Sequence, residues 1–183
     1  MLRIIAGKYR HCLIKQPSKV TTRPTTDRAR EALFSSIQFQ IEGKEFLDLF
    51  SGSGSFCLEA LSRGAKHAIS VEKSKDVVKI IKENKDLLKE TNLEIINTDA
   101  ISFLKKNNIK KFDYIYLDPP YALKDVLLEC LDLITTYDLI KKDGYLLIET
   151  NQSDFSYANN GYEIVKVKKY GKIYIYYLQN NSI

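Results

Sequence analysis

Apolar runs and apolar stripes alternate along the chain, and each predicts an element. Residues 2–6 and 10–16 read as two short strands around Gly7-Lys8-Tyr9, a small hairpin. The polar stretch from Pro17 to Pro24 carries two prolines and reads as a connection. Ala29, Leu33 and Ile37 then recur every four residues with Phe34 beside them, the one-sided stripe of an amphipathic helix. Thr25, Thr26 and Asp27 are its N-cap candidates, and the helix is expected to run to about Gln40. Arg28 and Arg30 project elsewhere on its turns.

From Glu45 the pattern becomes strictly alternating. Short apolar runs at Phe46–Phe50, Ala68–Glu72, Glu94–Asn97, Phe112–Leu117 and Gly144–Thr150 predict strands. Between them, Phe56–Arg63, a segment capped by Ser74 and reaching about Lys89, Ala100–Lys106 and Leu123–Tyr137 predict helices. Tyr162–Lys168 and Ile173–Leu178 flank Gly171 and close the chain as an antiparallel hairpin. Strands that alternate with helices imply an α/β fold, an open parallel sheet with right-handed crossovers. Residues 1–20 are expected to form a hairpin extension and 21–183 a single globular unit. In such sheets ligands bind beyond the carboxyl ends of the strands, near the point where strand order reverses.

Composition narrows the class. At 183 residues and 44% hydrophobic, the chain supports one core of ordinary size. No apolar run is long enough to cross a membrane, and the N-terminus lacks the apolar stretch of a secretory signal, so a cytoplasmic protein is expected. Cys12, Cys57 and Cys130 are isolated and form no CxxC pair, and His11 and His67 have no partner motif; no metal site is expected. No large apolar surface is evident, and a monomer is expected. The net charge of +5 is uneven. Residues 1–30 hold eight basic groups (Arg3, Lys8, Arg10, Lys15, Lys19, Arg23, Arg28 and Arg30) against Asp27 alone, which is +7; the rest sums to −2. A local basic block is the footprint of phosphate contacts, and Arg3, Lys8, Arg10, Arg23, Arg28 and Arg30 are the candidate RNA-binding residues.

Candidate chemistry sits at the strand ends. Asp48-Leu49-Phe50-Ser51-Gly52-Ser53-Gly54 is a glycine turn leading into a helix. A dinucleotide fold uses such a turn for pyrophosphate, but here Cys57 replaces the third small residue and Asp48 stands in the turn. A carboxylate repels pyrophosphate and suits a ligand that carries ammonium or sulfonium, so the turn disfavours a nicotinamide oxidoreductase. Glu72, eighteen residues after Gly54, suits ribose hydroxyls, with Lys73 beside it. Asp99 suits an adenine amino group or a helix N-cap, and Ala100 would line the adenine ring. Asp48, Phe50, Gly52, Ser53, Gly54, Glu72, Lys73, Asp99 and Ala100, in that order, point to S-adenosylmethionine.

Asp118-Pro119-Pro120-Tyr121 closes the apolar strand. Two prolines remove two N–H donors and fix two φ angles. The Asp118 carboxylate and the Pro119 carbonyl therefore form a rim of acceptors, with the Tyr121 ring beside it. That rim suits the two N–H donors of an exocyclic amine on a base, whose lone pair is otherwise delocalised into the ring. Asp118 suits proton acceptance and Tyr121 stacking. A paired base would have to be flipped out of its stack first.

These residues carry a resemblance. The Asp48–Gly54 turn and Asp118-Pro119-Pro120-Tyr121 resemble motifs I and IV of the amino-methyltransferases. Arg23-Pro24-Thr25-Thr26-Asp27-Arg28-Ala29-Arg30-Glu31-Ala32-Leu33-Phe34 resembles the helix before motif I in bacterial 16S rRNA guanine-N2 methyltransferases. Arg3-Ile4-Ile5-Ala6-Gly7, Leu58–Gly64 and Lys169-Tyr170-Gly171 are similar to that family too, so the likeness spans essentially the whole chain. It implies a class I, Rossmann-like, seven-stranded and mostly parallel sheet with helices on both faces and an N-terminal β-hairpin. It also implies that Thr25 and Thr26 lie near the methionine end of the cofactor. The acceptor it implies is a guanine, guanine 966 of small-subunit rRNA, within the ribosomal subunit or an assembly intermediate. Asp-Pro-Pro-Tyr alone leaves an adenine-N6 enzyme on DNA or RNA open, because both targets are exocyclic amines. A non-catalytic RNA-binding factor on the same scaffold would show a damaged turn or motif IV, and neither is damaged here.

Overall fold

The computed structural model describes residues 1–18, 24–106, 110–120, 122–156 and 161–181, with the backbone alone for 24–26. Arg23 and Tyr121, two of the candidate site residues, lie outside them. Strands β1 (Leu2–Arg3) and β2 (Leu13–Ile14) pair antiparallel. Helix α1 (Pro24–Ile37) is followed by β3 (Glu45–Asp48), α2 (Ser55–Ser62), β4 (His67–Glu72), α3 (Lys75–Leu87), β5 (Leu93–Asn97) and α4 (Ala100–Lys106). Then come β6 (Phe112–Leu117), α5 (Lys124–Thr136), β7 (Ile140–Thr150), β8 (Tyr162–Tyr170) and β9 (Ile173–Asn180). Among the described residues no helix is long and apolar enough to cross a membrane.

The seven-stranded sheet has the order β5-β4-β3-β6-β7-β9-β8. Strands β3 to β7 pair parallel, while β9 runs antiparallel to β7 and to β8. The expected seven-stranded, mostly parallel architecture is therefore present. Alternate strand residues feed two cores. On one face Phe46, Tyr114, Tyr116, Leu147 and Tyr177 pack beneath α1, α2 and α3. On the other, Leu47, Ile115, Leu117, Ile148 and Tyr176 pack beneath α4 and α5. Burial on both faces is why β6 reads as an almost continuous apolar run.

Several boundaries differ from the sequence expectation; β3, α5, β8 and β9 shift by one or two residues, and the larger differences have identifiable causes. Helix α1 starts at Pro24, so Thr25, Thr26 and Asp27 occupy its first turn instead of capping it. Proline serves at that position because its missing N–H has no partner there and its φ is preset. The helix stops at Ile37, whose carbonyl accepts the Gln40 N–H in a terminal turn. Strand β7 begins four residues early, across a shift in register against β6. The strands of the first hairpin are shorter than expected because its N–H groups go elsewhere. Those of Ile5 and Ala6 donate to the Glu59 carboxylate at 2.9 and 3.1 Å, and those of Lys8 and Tyr9 to the carbonyl and hydroxyl of Ser62.

Leu2, Ile4 and Ile14 enter the α1–α3 core, so the hairpin shares it with the sheet. Glu59 is fully buried and also holds Arg63 Nε at 2.8 Å. Gly7, at φ 85°, lies so close to α2 that a Cβ would sit 1.8 Å from the Ser62 carbonyl oxygen. At the open end of the hairpin the fully buried Asn84 accepts the Lys15 N–H at 2.7 Å and donates to the carbonyls of Lys15 and Ser53. One side chain thus ties the hairpin to the turn after β3. Replacing Glu59 by Ala would leave Arg63 without its carboxylate and two amide donors without an acceptor. The expected loss is about 3–5 kcal/mol in urea unfolding. A loss under 1 kcal/mol would show that the hairpin is held by its apolar residues alone.

Candidate active site

Strand order reverses between β3 and β6, and their carboxyl ends carry the chemistry. Asp48 ends β3 on the α2 face. Its Oδ1 accepts the Phe50 N–H at 3.0 Å, and its backbone carbonyl accepts the Ser51 hydroxyl. The turn closes when Gly54 N–H donates to the Ser51 carbonyl at 2.8 Å. Gly54 adopts φ 77°, and a Cβ there would meet Ile81 of α3 at 2.9 Å. Glycine is thus required by both conformation and space, because α2 starts hard against α3. Cys57, in the third turn position, is fully buried, and burial together with Asp48 pushes its thiol up.

Glu72 joins two turns. Its Oε2 accepts the Gly52 N–H at 3.1 Å and its Oε1 the Ser74 N–H at 2.8 Å. Ser74 caps α3 as expected. Asp99 caps α4 by accepting the Ser102 N–H and hydroxyl, and those two bonds hold its carboxyl below the usual range. Both carboxylates keep lone pairs for a further donor. A cavity of about 310 Å³ lies between these groups and the end of β6. Phe50, Glu72, Lys73, Asp99 and Ala100 line it on one side, Asp118, Pro120 and Leu123 on the other. Pro119 is buried beside Asp118, and the Pro120 carbonyl accepts the Leu123 N–H at 2.8 Å to start α5.

Asp48, with Gly52, Ser53, Gly54 and Pro119, is not among the residues that line this cavity; it ends β3 just before Leu49 and Phe50, which are. Asp48 is 1% exposed, and its Oδ2 has no hydrogen-bond partner. Burial raises its pKa to about 7, and the charges of Glu72 and Glu149 push the same way. An orphaned buried carboxylate flanked by other acids suits a cationic ligand, one that carries ammonium or sulfonium. The cavity volume also falls in the range of small-ligand sites. The residues present therefore fit S-adenosylmethionine.

Sequence reasoning missed two residues here. Tyr116 precedes Asp118 by two positions on the same face of β6, and its hydroxyl donates to the buried Glu149 at the end of β7. Burial, then Glu149 and Asp118, hold its phenol well above the usual value, so it stays a donor. Its ring stacks on Phe56 in the first turn of α2 at 4.1 Å. One aromatic thus connects the glycine turn to the Asp118 strand end. The available signal was Glu149 itself, an acid ending the apolar run Leu146-Leu147-Ile148.

The basic residues divide. Arg3, Arg10 and Arg28 are exposed, and Lys8, half-exposed, pairs with Glu90 at 2.8 Å. Arg30 is a correction: it is 1% exposed, donates to the Arg3 carbonyl at 2.8 Å and pairs with Asp27, so its guanidinium fastens α1 to β1 and does not face RNA. At the hairpin tip Lys8 and Tyr9 bond to Ser62 and Glu90, and Arg10 follows them, its N–H donating to the Gly7 carbonyl. Ser62 and Glu90 lie at the carboxyl ends of α2 and α3, which is the far end of the sheet from Asp118.

The family described as conserved hypothetical protein 95 matches residues 2–179. The ribosomal RNA small subunit methyltransferase D of Haemophilus influenzae is 32% identical over 182 residues, 98% of this chain and 94% of that protein. The protein of the same name from Escherichia coli K12 is 33% identical over 149 residues, 81% of this chain and 74% of its own length. Among solved structures, the Escherichia coli protein yhhF superposes with a TM-score of 0.87 at 29% identity, covering 100% of this chain and 99% of its own.

Asp48 generates a pH-dependent expectation. Its folded pKa lies above its unfolded value of 3.8, so between about pH 4 and 7 the folded state binds more protons. Stability without ligand then falls as pH rises through that window, by up to about 4 kcal/mol. Asp48→Asn should remove this slope, raise the melting temperature above pH 7 more than at pH 4, and weaken binding of a sulfonium ligand. Equal pH slopes in the two proteins would mean that Asp48 titrates normally.

Proposed function

The chain belongs to the conserved hypothetical protein 95 family, and from that premise we propose that it is an S-adenosylmethionine-dependent methyltransferase of small-subunit rRNA. In this reading the acceptor is the exocyclic N2 amino group of a guanine, guanine 966 of 16S rRNA. The observation that carries the proposal is a cavity whose wall includes Glu72, Asp99 and Ala100 together with Asp118. Relatives named rRNA small subunit methyltransferase D support the RNA class, and the resemblance of residues 23–34 supports guanine. The enzyme acts in the cytoplasm as a monomer of one globular unit with a hairpin extension.

The chain's own residues divide the work. When bound, S-adenosylmethionine supplies an electrophilic methyl group on a positively charged sulfur. Asp48 offers a negative charge to its cationic end, Glu72 accepts from the ribose hydroxyls, and Asp99 and Ala100 hold the adenine. Thr25 and Thr26 lie toward the methionine end. Asp118 accepts one N–H of the guanine amino group and the Pro119 carbonyl accepts the other, which turns the nitrogen lone pair away from both. Asp118 also takes the proton that the amine gives up. Tyr121 stacks on the base. Orientation of this kind contributes on the order of 7–11 kcal/mol at most.

Two measurements test the reading. Nucleosides from small-subunit rRNA of cells with and without the protein should differ in N2-methylguanosine at a single site. N6-methyladenosine in its place would move the acceptor to adenine. Asp118→Ala should lower turnover by at least about 10²-fold while S-adenosylhomocysteine still binds. Unchanged turnover would remove Asp118 from the chemistry.

A further inference from the structure

The last hairpin carries a charge pattern that methyl transfer does not use. From residue 164 to residue 183 the chain has four lysines, Lys166, Lys168, Lys169 and Lys172, and no acid. All four lie on β8 or the turn after it, and among the described residues none is in an ion pair. Lys166, Lys169 and Lys172 are exposed.

Strand register places this charge at the active-site end. Lys168 pairs with Ile175 of β9, and Ile175 with Glu149 of β7. Glu149 follows Ile148, the partner of Leu117, so Lys168 lies level with Asp118. Three strand spacings of ~4.8 Å separate them, about 14 Å. Lys166 and Lys168 share the face of Ile175 and Tyr177, against which α1 packs with its exposed Arg28. Lys166 Nζ stands 5.2 Å from the Tyr177 ring centre, and Lys169 Nζ stands 5.5 Å from that of Tyr174 on the opposite face.

Lys166 and Lys168 are neighbours of like charge with no carboxylate between them. Burial, and after it the Lys168 ammonium, pull Lys166 below the ordinary lysine value. An anion placed over the pair would relieve that repulsion. Lysines on an edge strand also deter a second sheet edge, and the exposed Ile164, Val165 and Val167 beside them need such protection. That role calls for charge along the strand, yet Lys172 lies in the turn beyond it.

We propose that the β8–β9 hairpin is a docking surface for the sugar–phosphate backbone of the rRNA strand flanking the methylated base. The inference rests on the reading of the chain as an rRNA methyltransferase. It gives Lys168, Lys169 and Lys172 the phosphates nearest the Asp118 end of the sheet. The basic tip of the first hairpin, at the far end, then serves a more distant part of the same particle.

The test combines Lys168→Gln, Lys169→Gln and Lys172→Gln in the full chain. The probe is small ribosomal subunits from cells lacking this protein, titrated over a salt series. The slope of log affinity against log salt should become shallower by about 2, at ~0.7 per lost single-strand contact. KM for subunits should rise about 10-fold with kcat nearly kept, while S-adenosylhomocysteine affinity and melting temperature stay at wild-type values. The corresponding triple Arg variant should behave as wild type. Lys172→Glu alone, in the exposed turn, should also weaken binding. A matched variant at the opposite end of the sheet, Lys66→Gln with Lys106→Gln and Lys142→Gln, all exposed, should keep the wild-type slope.

If wild type methylates the subunits and the hairpin variants keep its slope and KM, the docking proposal is overturned and the enzyme reading stands. Aggregation of the Gln variant with unaltered RNA affinity in its monomer overturns it as well, leaving edge protection as the role of the lysines. So does an equal loss in the matched variant. If wild type neither binds nor methylates the subunits, the enzyme reading fails and takes this proposal with it.

Discussion

Parallel pairing of β3 with β6, in the register Asp48 opposite Tyr116, brings together groups that the sequence holds seventy residues apart. The strands extend outward from this pair in both directions, β4 and β5 one way and β7, β9 and β8 the other. Crossover helices therefore leave in opposite senses, and the carboxyl ends of β3 and β6 stay uncovered. Whatever residues stand at those ends must become neighbours. The glycine turn follows one of them and Asp-Pro-Pro-Tyr the other. Tyr116 reinforces the pairing from within the core, stacked on Phe56 of α2 and bonded to Glu149 of β7.

Two of the four buried side-chain atoms without a hydrogen-bond partner among the described residues stand beside this crevice. Asp48 Oδ2 and the Ser70 hydroxyl are buried without hydrogen-bond partners, and Glu72 and Glu149 add negative charge nearby. Elsewhere buried acids are satisfied: Glu59 by two amides and Arg63, Glu90 by Lys8, Tyr9 and the Asn92 N–H. A cationic ligand placed against the unpartnered Asp48 oxygen would remove a penalty as well as add contacts. Binding and stability are then coupled through one carboxylate.

The parts of this arrangement legible in the sequence are those with local causes. Glycine after an apolar strand, Ser74 before a helix and two prolines after β6 act over three or four residues, and each sits where the pattern predicts. Residues whose roles depend on distant partners were not legible. Arg30 reads as one more member of a basic block, because nothing local shows that its turn of α1 faces β1. Glu59 lies in a short helix buried along its whole length, where periodicity carries no signal. The Thr25 and Thr26 cap assignment failed for a local reason, since Pro24 could already begin the helix. Glu149 and Asn84 matter only through register and helix packing, which one-dimensional spacing does not contain.

Charge shows the same limit with a functional consequence. Along the chain the positive excess appears as an N-terminal property, +7 in residues 1–30 against −2 in the rest. That remainder hides +4 in residues 164–183 and −6 in residues 31–163. Folding then reverses the expected geography. The first hairpin turns its tip toward the carboxyl ends of α2 and α3, while the last one, inserted antiparallel beside β7, brings its lysines level with Asp118. A ligand with charge along its whole length can use both poles, because they lie toward opposite ends of the seven-stranded sheet. A mononucleotide cannot span them. Under the proposed function the chemistry needs only one base, and the charge distribution suits a far larger anion that carries it.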